Sequence, residues 1–151
     1  MPRRVFIDSW GWFAHLNRRD KHHARVRPYL ETLLREAVGL VTSDPVIVEC
    51  LDVARKKFPD FPTQAAEWFS RALAAEHLSV LPLTPEVRRA ALLLKLQYRS
   101  DSRVTFTDCC NAALMDHEGL HEVLSGDSHY RDLHPGIRLL PEDDARADTG
   151  S

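Results

Sequence analysis

Five short strand-like runs alternate along this chain with segments of helical period, and few architectures satisfy that order. Val5-Phe6-Ile7 is a continuous apolar run that stops abruptly at Asp8, as a strand buried on both faces of a parallel sheet does. Leu40-Val41, Leu78-Ser79-Val80-Leu81, Val123-Leu124-Ser125 and Ile137-Arg138-Leu139-Leu140 supply the other four. Helices are predicted near 9–18 and 22–38, the second with Val26, Leu30, Leu33, Leu34 and Ala37 on one face and Gly39 as its stop. Thr42-Ser43-Asp44-Pro45 joins capping side chains to a first-turn proline and opens a helix expected to reach about Phe58. Another starts at Pro62-Thr63, with Ala65, Trp68, Phe69, Ala72 and Leu73 as its stripe. Thr84-Pro85-Glu86 caps a further helix, and Thr105-Phe106-Thr107-Asp108 has the form of a capping box leading to about Glu118. The expected fold class is α/β, a three-layer sandwich with a short, mostly parallel central sheet flanked by helices.

A length of 151 residues suits one core. The reading is one domain over residues 1–141, followed by an acidic tail over 142–151 that is too polar to pack and is expected to be disordered. Hydrophobic residues at 44% and charged residues at 28% are ordinary for a globular chain, and no apolar run approaches a membrane span. Asp8 interrupts the apolar stretch after MPRRVFI, so the N-terminus does not read as a signal peptide. Cys50, Cys109 and Cys110 form no disulfide framework and no zinc spacing; they read as buried reduced thiols of a cytoplasmic protein. With a net charge of −2 the chain does not look like a general nucleic-acid binder, but the charge is unevenly distributed. Residues 1–100 hold 16 Lys and Arg against 11 Asp and Glu; residues 101–151 hold 4 against 11. An acidic segment beside a basic one fits a metal site next to a backbone-binding surface, and a solvated acidic tail is the plainer account.

In open α/β sheets, sites form beyond the carboxyl ends of the strands. Asp8 ends the first strand, Asp127 follows a later one, Asp108 stands in the first turn of a helix and Glu49 about one turn into another. Four acids from four distant segments thus have a route to one crevice. Like charges so gathered oppose folding unless a cation neutralises them, and all-carboxylate donors suit Mg2+ or Mn2+. Each acid also has a plainer role: Asp8 as a helix cap, Asp108 as half of the capping box, Glu49 as a solvated helix residue at the edge of the arc Val46, Ile47, Cys50, Leu51, Val53, Ala54, Phe58, and Asp127 as a turn residue.

The segments VFIDSWGWFAHLNRRDKHH, VTSDPVIVECLDVARKK, FTDCCNAALM and LSGDSHY, in this order and spacing over residues 4–140, resemble a PIN domain of the VapC toxin type. The family's acidic positions fall on Asp8, Glu49, Asp108 and Asp127. Ser9 and Ser125 fall where the family carries Ser or Thr, Asn111 is a candidate supporting residue one turn after Asp108, and Asp101 resembles an additional acid upstream of the third motif. The resemblance implies an Mg2+- or Mn2+-dependent endoribonuclease that hydrolyses RNA phosphodiester bonds, is the toxin of a type II toxin–antitoxin pair, forms homodimers and binds a small antitoxin. Asp8, Glu49 and Asp108 would hold the principal metal, with Asp127 completing or orienting the cluster.

Two other readings stay open: a catalytically silent PIN-like protein-binding module, and a DNA-directed nuclease. A phosphatase of the haloacid dehalogenase type is disfavoured, because Trp10 stands where its second Asp belongs; a receiver is disfavoured because Phe6-Ile7 precede a lone Asp8. Trp10 and Trp12 are candidates for base stacking or core. Arg18, Arg19 and Lys21 are candidates for a phosphate backbone or a solvated loop, and Arg55-Lys56-Lys57 reads as a helix C-terminus. His22, His23, His129 and His134 lack ligand spacing, and His129 is a minor candidate for proton transfer.

Overall fold

The computed structural model describes residues 2–149 of the chain. Five strands form one sheet: β1 (Arg4–Ile7), β2 (Gly39–Ser43), β3 (Leu78–Leu81), β4 (Glu122–Leu124) and β5 (Arg138–Leu140), in the order β3-β2-β1-β4-β5. Every pairing is parallel, so the sheet is wholly rather than mostly parallel. Phe6 pairs with Val41 on one side and Val123 on the other, and Val5, Phe6 and Ile7 are fully buried. The run of apolar residues is therefore required by burial on both faces.

Eight α-helices flank the sheet among the described residues: α1 (Ser9–Leu16), α2 (His23–Arg35), α3 (Asp44–Val48), α4 (Phe61–Ala74), α5 (Pro85–Gln97), α6 (Phe106–Glu118), α7 (Tyr130–Leu133) and α8 (Glu142–Thr149). Ser43, Thr84 and Thr105 cap α3, α5 and α6 with their hydroxyls, as their sequence positions foretell. The chain leaves β1 towards β2 and β3, then returns to add β4 and β5 on the other side. The order reverses at β1, the place where open parallel sheets set their sites, beyond the carboxyl ends of the strands.

Three elements depart from expectation. The second helix stops at Arg35, because Ala37 takes a left-handed φ of 57° and cannot continue it; Gly39 starts a strand instead. The helix expected to reach Phe58 ends at Val48 and passes into a π-helical turn over Glu49–Val53, then a tight turn over Ala54–Lys56. The Ala54 amide donates to the Glu49 carbonyl, five residues back. The extra residue in that turn rotates the side chains downstream of it, so Val53 is 66% exposed and Ala54 is buried.

The third departure corrects the disordered tail: Glu142–Thr149 is helix α8, and residues 150–151 lie outside the described residues. Its acids are engaged rather than merely solvated. Asp143 accepts a hydrogen bond from the Leu139 amide at 2.8 Å and pairs with Arg131 at 2.8 Å. Asp144 bonds Tyr29 and Arg138.

Candidate metal centre

Asp8 follows the last residue of β1 and caps α1, its Oδ1 accepting the Gly11 amide at 3.1 Å. Its Oδ2 accepts the Ser125 hydroxyl at 2.6 Å. That same hydroxyl oxygen accepts the Asp127 amide at 3.0 Å, so one serine joins the ends of β1 and β4 and fixes the loop that presents Asp127. Helix α1 lies very close to β4: a Cβ at Gly11 would stand 2.7 Å from the Leu124 carbonyl oxygen, which only glycine avoids. A Cβ at Gly126 would stand 2.4 Å from the Trp10 indole. Trp10 thus packs directly against the backbone beside Asp127.

Ser9 reaches the other way and donates to Glu49 Oε2 at 2.6 Å. The π-helical turn bearing Glu49 is thereby tied to the start of α1, and the carboxylate is half-buried rather than solvated. Asp108 completes the capping box, with the Thr105 amide donating to its Oδ2 at 3.0 Å. Its Oδ2 lies 2.9 Å from His129 Nε2, an ion-pair distance without hydrogen-bond alignment. Its Oδ1 accepts the Tyr130 hydroxyl at 3.3 Å.

Behind Asp108 runs a buried polar chain. Ser43 donates to Asn111 Oδ1 at 2.8 Å, and Asn111 Nδ2 donates to the Tyr130 hydroxyl at 3.0 Å. Asn111 is therefore a fully committed interior amide, not an ordinary helix-face residue. Reasoning from sequence alone misses Ser43 and Tyr130 as supports of the site; the only signal is Tyr130 three residues beyond Asp127.

Electrostatics record the crowding of carboxylates. Burial raises the Asp8 carboxyl, the Asp127 charge adds to it, and its pKa reaches about 8 despite the Ser125 and Gly11 hydrogen bonds. Burial also raises Asp127; His129 opposes the rise, while Asp108 and Glu49 add to it. For Asp108, burial alone would raise the carboxyl, but His129 and the Thr105 amide outweigh it and hold it below the usual range. Asp108 in turn raises His129.

Asp108, Asp127 and His129 each present a ligand atom, all within 4.8 Å of one another. Asp8 is joined to this group through Ser125 and by charge, and Glu49 acts on Asp127 by charge. The donor set of hard oxygens with one imidazole suits Mg2+ or Mn2+. Burial first, and then the Asp127 charge, drive Asp8 to about 8, and a divalent cation held nearby would favour its ionised form.

The remaining candidates separate cleanly. Asp101 pairs with Arg103 at 2.9 Å and stands outside the group. Trp12 is core, its indole N–H donating to Thr42 Oγ1 at 3.2 Å, whereas Trp10 is half-buried beside the site. His23 bonds the Ala14 carbonyl and His134 the Leu120 carbonyl, both structural contacts; His22 packs on Trp10 at 4.9 Å between ring centres. The three cysteines are buried and unpaired.

Comparison with known proteins adds three findings. The chain matches the PIN domain family over residues 5–135. The crystal structure of Mycobacterium tuberculosis VapC20, described as a sarcin-ricin loop cleaving toxin, superposes with a TM-score of 0.69 at 18% identity, covering 89% of this chain and 98% of that one. PAE2754 from Pyrobaculum aerophilum superposes with a TM-score of 0.63 at 14% identity, covering 99% of each chain. At these identities both show a shared fold. No curated protein matches the chain.

Proposed function

We propose, from the premise that this chain belongs to the PIN domain family, that it is a divalent-metal-dependent endoribonuclease and the toxin of a type II toxin–antitoxin pair. The observation that supports this most is the grouping of Asp108, Asp127 and His129, with Asp8 tied to Asp127 through Ser125 and Glu49 tied to the start of α1 through Ser9, where the strand order reverses. Asp8, Glu49 and Asp108 would hold the Mg2+ or Mn2+, and Asp127 would complete or orient the set. A bound divalent cation supplies Lewis-acid activation of water and neutralises charge at the phosphodiester. The chain's own residues prepare that chemistry. Ser125 fixes Asp8 relative to Asp127, Ser9 aims Glu49, and the Ser43–Asn111–Tyr130 chain holds Asp108. His129 stands 2.9 Å from Asp108, which raises its imidazole.

The likeness to VapC20 supports RNA as the substrate class and a small antitoxin as the partner. Buried unpaired thiols support a cytoplasmic location, and no helix among the described residues is long and apolar enough to cross a membrane. For the homodimer, the candidate face is on α5, where Leu92, Leu93 and Leu96 are 50%, 61% and 60% exposed. Leu93→Asp should shift the protein from dimer to monomer in light scattering. The function itself is tested by mapping RNA ends after brief expression, against an Asp8→Asn control. Mg2+- or Mn2+-dependent cleavage by the wild type, absent in a folded Asp8→Asn protein, is the expected result. Equal cleavage by both would overturn the assignment.

A further inference from the structure

We propose that a basic, aromatic-lined cleft beside the acid cluster holds the phosphates of single-stranded RNA flanking the cut, an inference that rests on the ribonuclease reading. The cleft, about 600 Å³, lies between the segment after α1, the turn before α4 and one face of α4. Five cations line it: Arg18, Arg19, Arg27, Lys57 and Arg71; only Asp60 and Glu67 oppose them. Arg27 pairs with Glu31 at 3.0 Å. Arg18, Arg19, Lys57 and Arg71 are exposed, and none has an ion pair among the described residues.

The cleft leads towards one of the four acids, Glu49. A second cavity, about 390 Å³, is bordered by Glu49 and Trp10 and shares Lys57 and Phe58 with the first. A chain lying across both passes from Glu49 over Trp10 and Phe58 to the arginines. Phe58 and Trp68 are half-buried, each leaving part of its side chain open along this path. Rings beside cations are what a single-stranded nucleic acid needs, because bases stack on the rings while phosphates meet the charges. Unpaired cations gathered in one cleft repel each other, and a polyanion removes that cost. An extended peptide is the poorer occupant, since helices and turns form the walls and no sheet edge offers it backbone partners. The excess of basic residues before residue 101 thus acquires a place and a use.

The test uses the full chain carrying Asp8→Asn, so that binding is read without cutting, and a fluorescein-labelled oligouridylate as probe. Anisotropy titrations over a salt series compare this protein with the same protein carrying Arg18→Gln and Arg71→Gln. Each lost phosphate contact lowers the salt slope by about 0.7 for single strands. Two lost contacts then weaken binding about 25-fold at 0.1 M salt, if the proteins converge near 1 M. A control pair outside the cleft, Arg89→Gln with Arg99→Gln, should change neither quantity, and melting curves confirm that the exposed substitutions leave the fold intact. In the active protein, the cleft pair should raise KM for a long RNA and spare kcat. Unchanged affinity and slope in the cleft pair would overturn the inference. So would displacement of the RNA by oligoglutamate at equal charge, which would mark a site for acidic protein instead. RNA binding that depends on the cleft in a protein that cuts no RNA would sink the nuclease reading alone; cutting with cleft-independent binding would sink this inference alone.

Discussion

Replacing Asp8 by Asn should stabilise the protein whenever divalent metal is withheld. The Asp8 carboxyl has a pKa of about 8 in the fold, against 3.8 for an ordinary Asp. Below the ordinary value both folded and unfolded chains hold the proton, and the group contributes nothing to the pH dependence. Between the two values the unfolded chain is ionised while the fold keeps the proton, so stability falls as pH rises, by about 1.4 kcal/mol per unit at most. Near pH 7 the accumulated loss is about 4 kcal/mol. Asparagine does not ionise and avoids it. The substitution disturbs the hydrogen bonds from Gly11 and Ser125, at about 1 kcal/mol. The net gain of about 3 kcal/mol corresponds to about 6–12 °C in Tm for a chain of this size. Thermal melts in chelator at several pH values between 4 and 8 measure it directly. The wild type should lose more stability across that range than the variant, in which Asp127 and His129 remain raised. Adding Mg2+ should then lift the wild type and leave the variant nearly unmoved. A variant that melts at or below the wild type in chelator at neutral pH would refute the account of Asp8 as a crowded, uncompensated acid.

Three further outcomes are expected from the same geometry. Tyr130→Phe removes the donor to Asp108 and the acceptor of Asn111; it should cost about 1–3 kcal/mol in urea unfolding and lower kcat while sparing RNA affinity. Gly126→Ala drives a methyl group into the Trp10 ring, and cleavage should fall further than the expected loss of about 1–3 kcal/mol explains, because the loop bearing Asp127 must move. Glu49→Gln keeps the size of the side chain but removes a carboxylate charge; the Mg2+ concentration for half-maximal melting shift should rise about tenfold or more, and an unchanged midpoint would remove Glu49 from the ligand set.

The sheet is legible in the sequence because its signal is local. Val5-Phe6-Ile7 must be apolar on both faces, and Thr105 and Asp108 announce a helix start by their spacing alone. Asp8 and Asp127 can be placed by the rule that such crevices lie past strand ends. Glu49 is harder. Its final orientation depends on a π-helical turn, which no helical wheel with a fixed period describes. The support behind Asp108 is invisible for a different reason: Ser43 and Asn111 are 68 residues apart and meet only once the sheet has formed. The tail shows the limit of composition. Glu142–Thr149 is polar enough to remain in water, yet Arg131, Arg138 and Tyr29 receive its acids and hold it to the last strand.

The Ser125 bridge between Asp8 and Asp127 has a consequence for the chain during its synthesis. Its two halves are separated by 117 residues, so one leaves the ribosome well before the other is made. A ribosome that has delivered Asp8, Glu49 and even Asp108 has delivered isolated acids with no common pocket. On the nuclease reading proposed above, the site is complete only with the strand that locks beside the first one, so a copy abandoned before that strand should cut nothing.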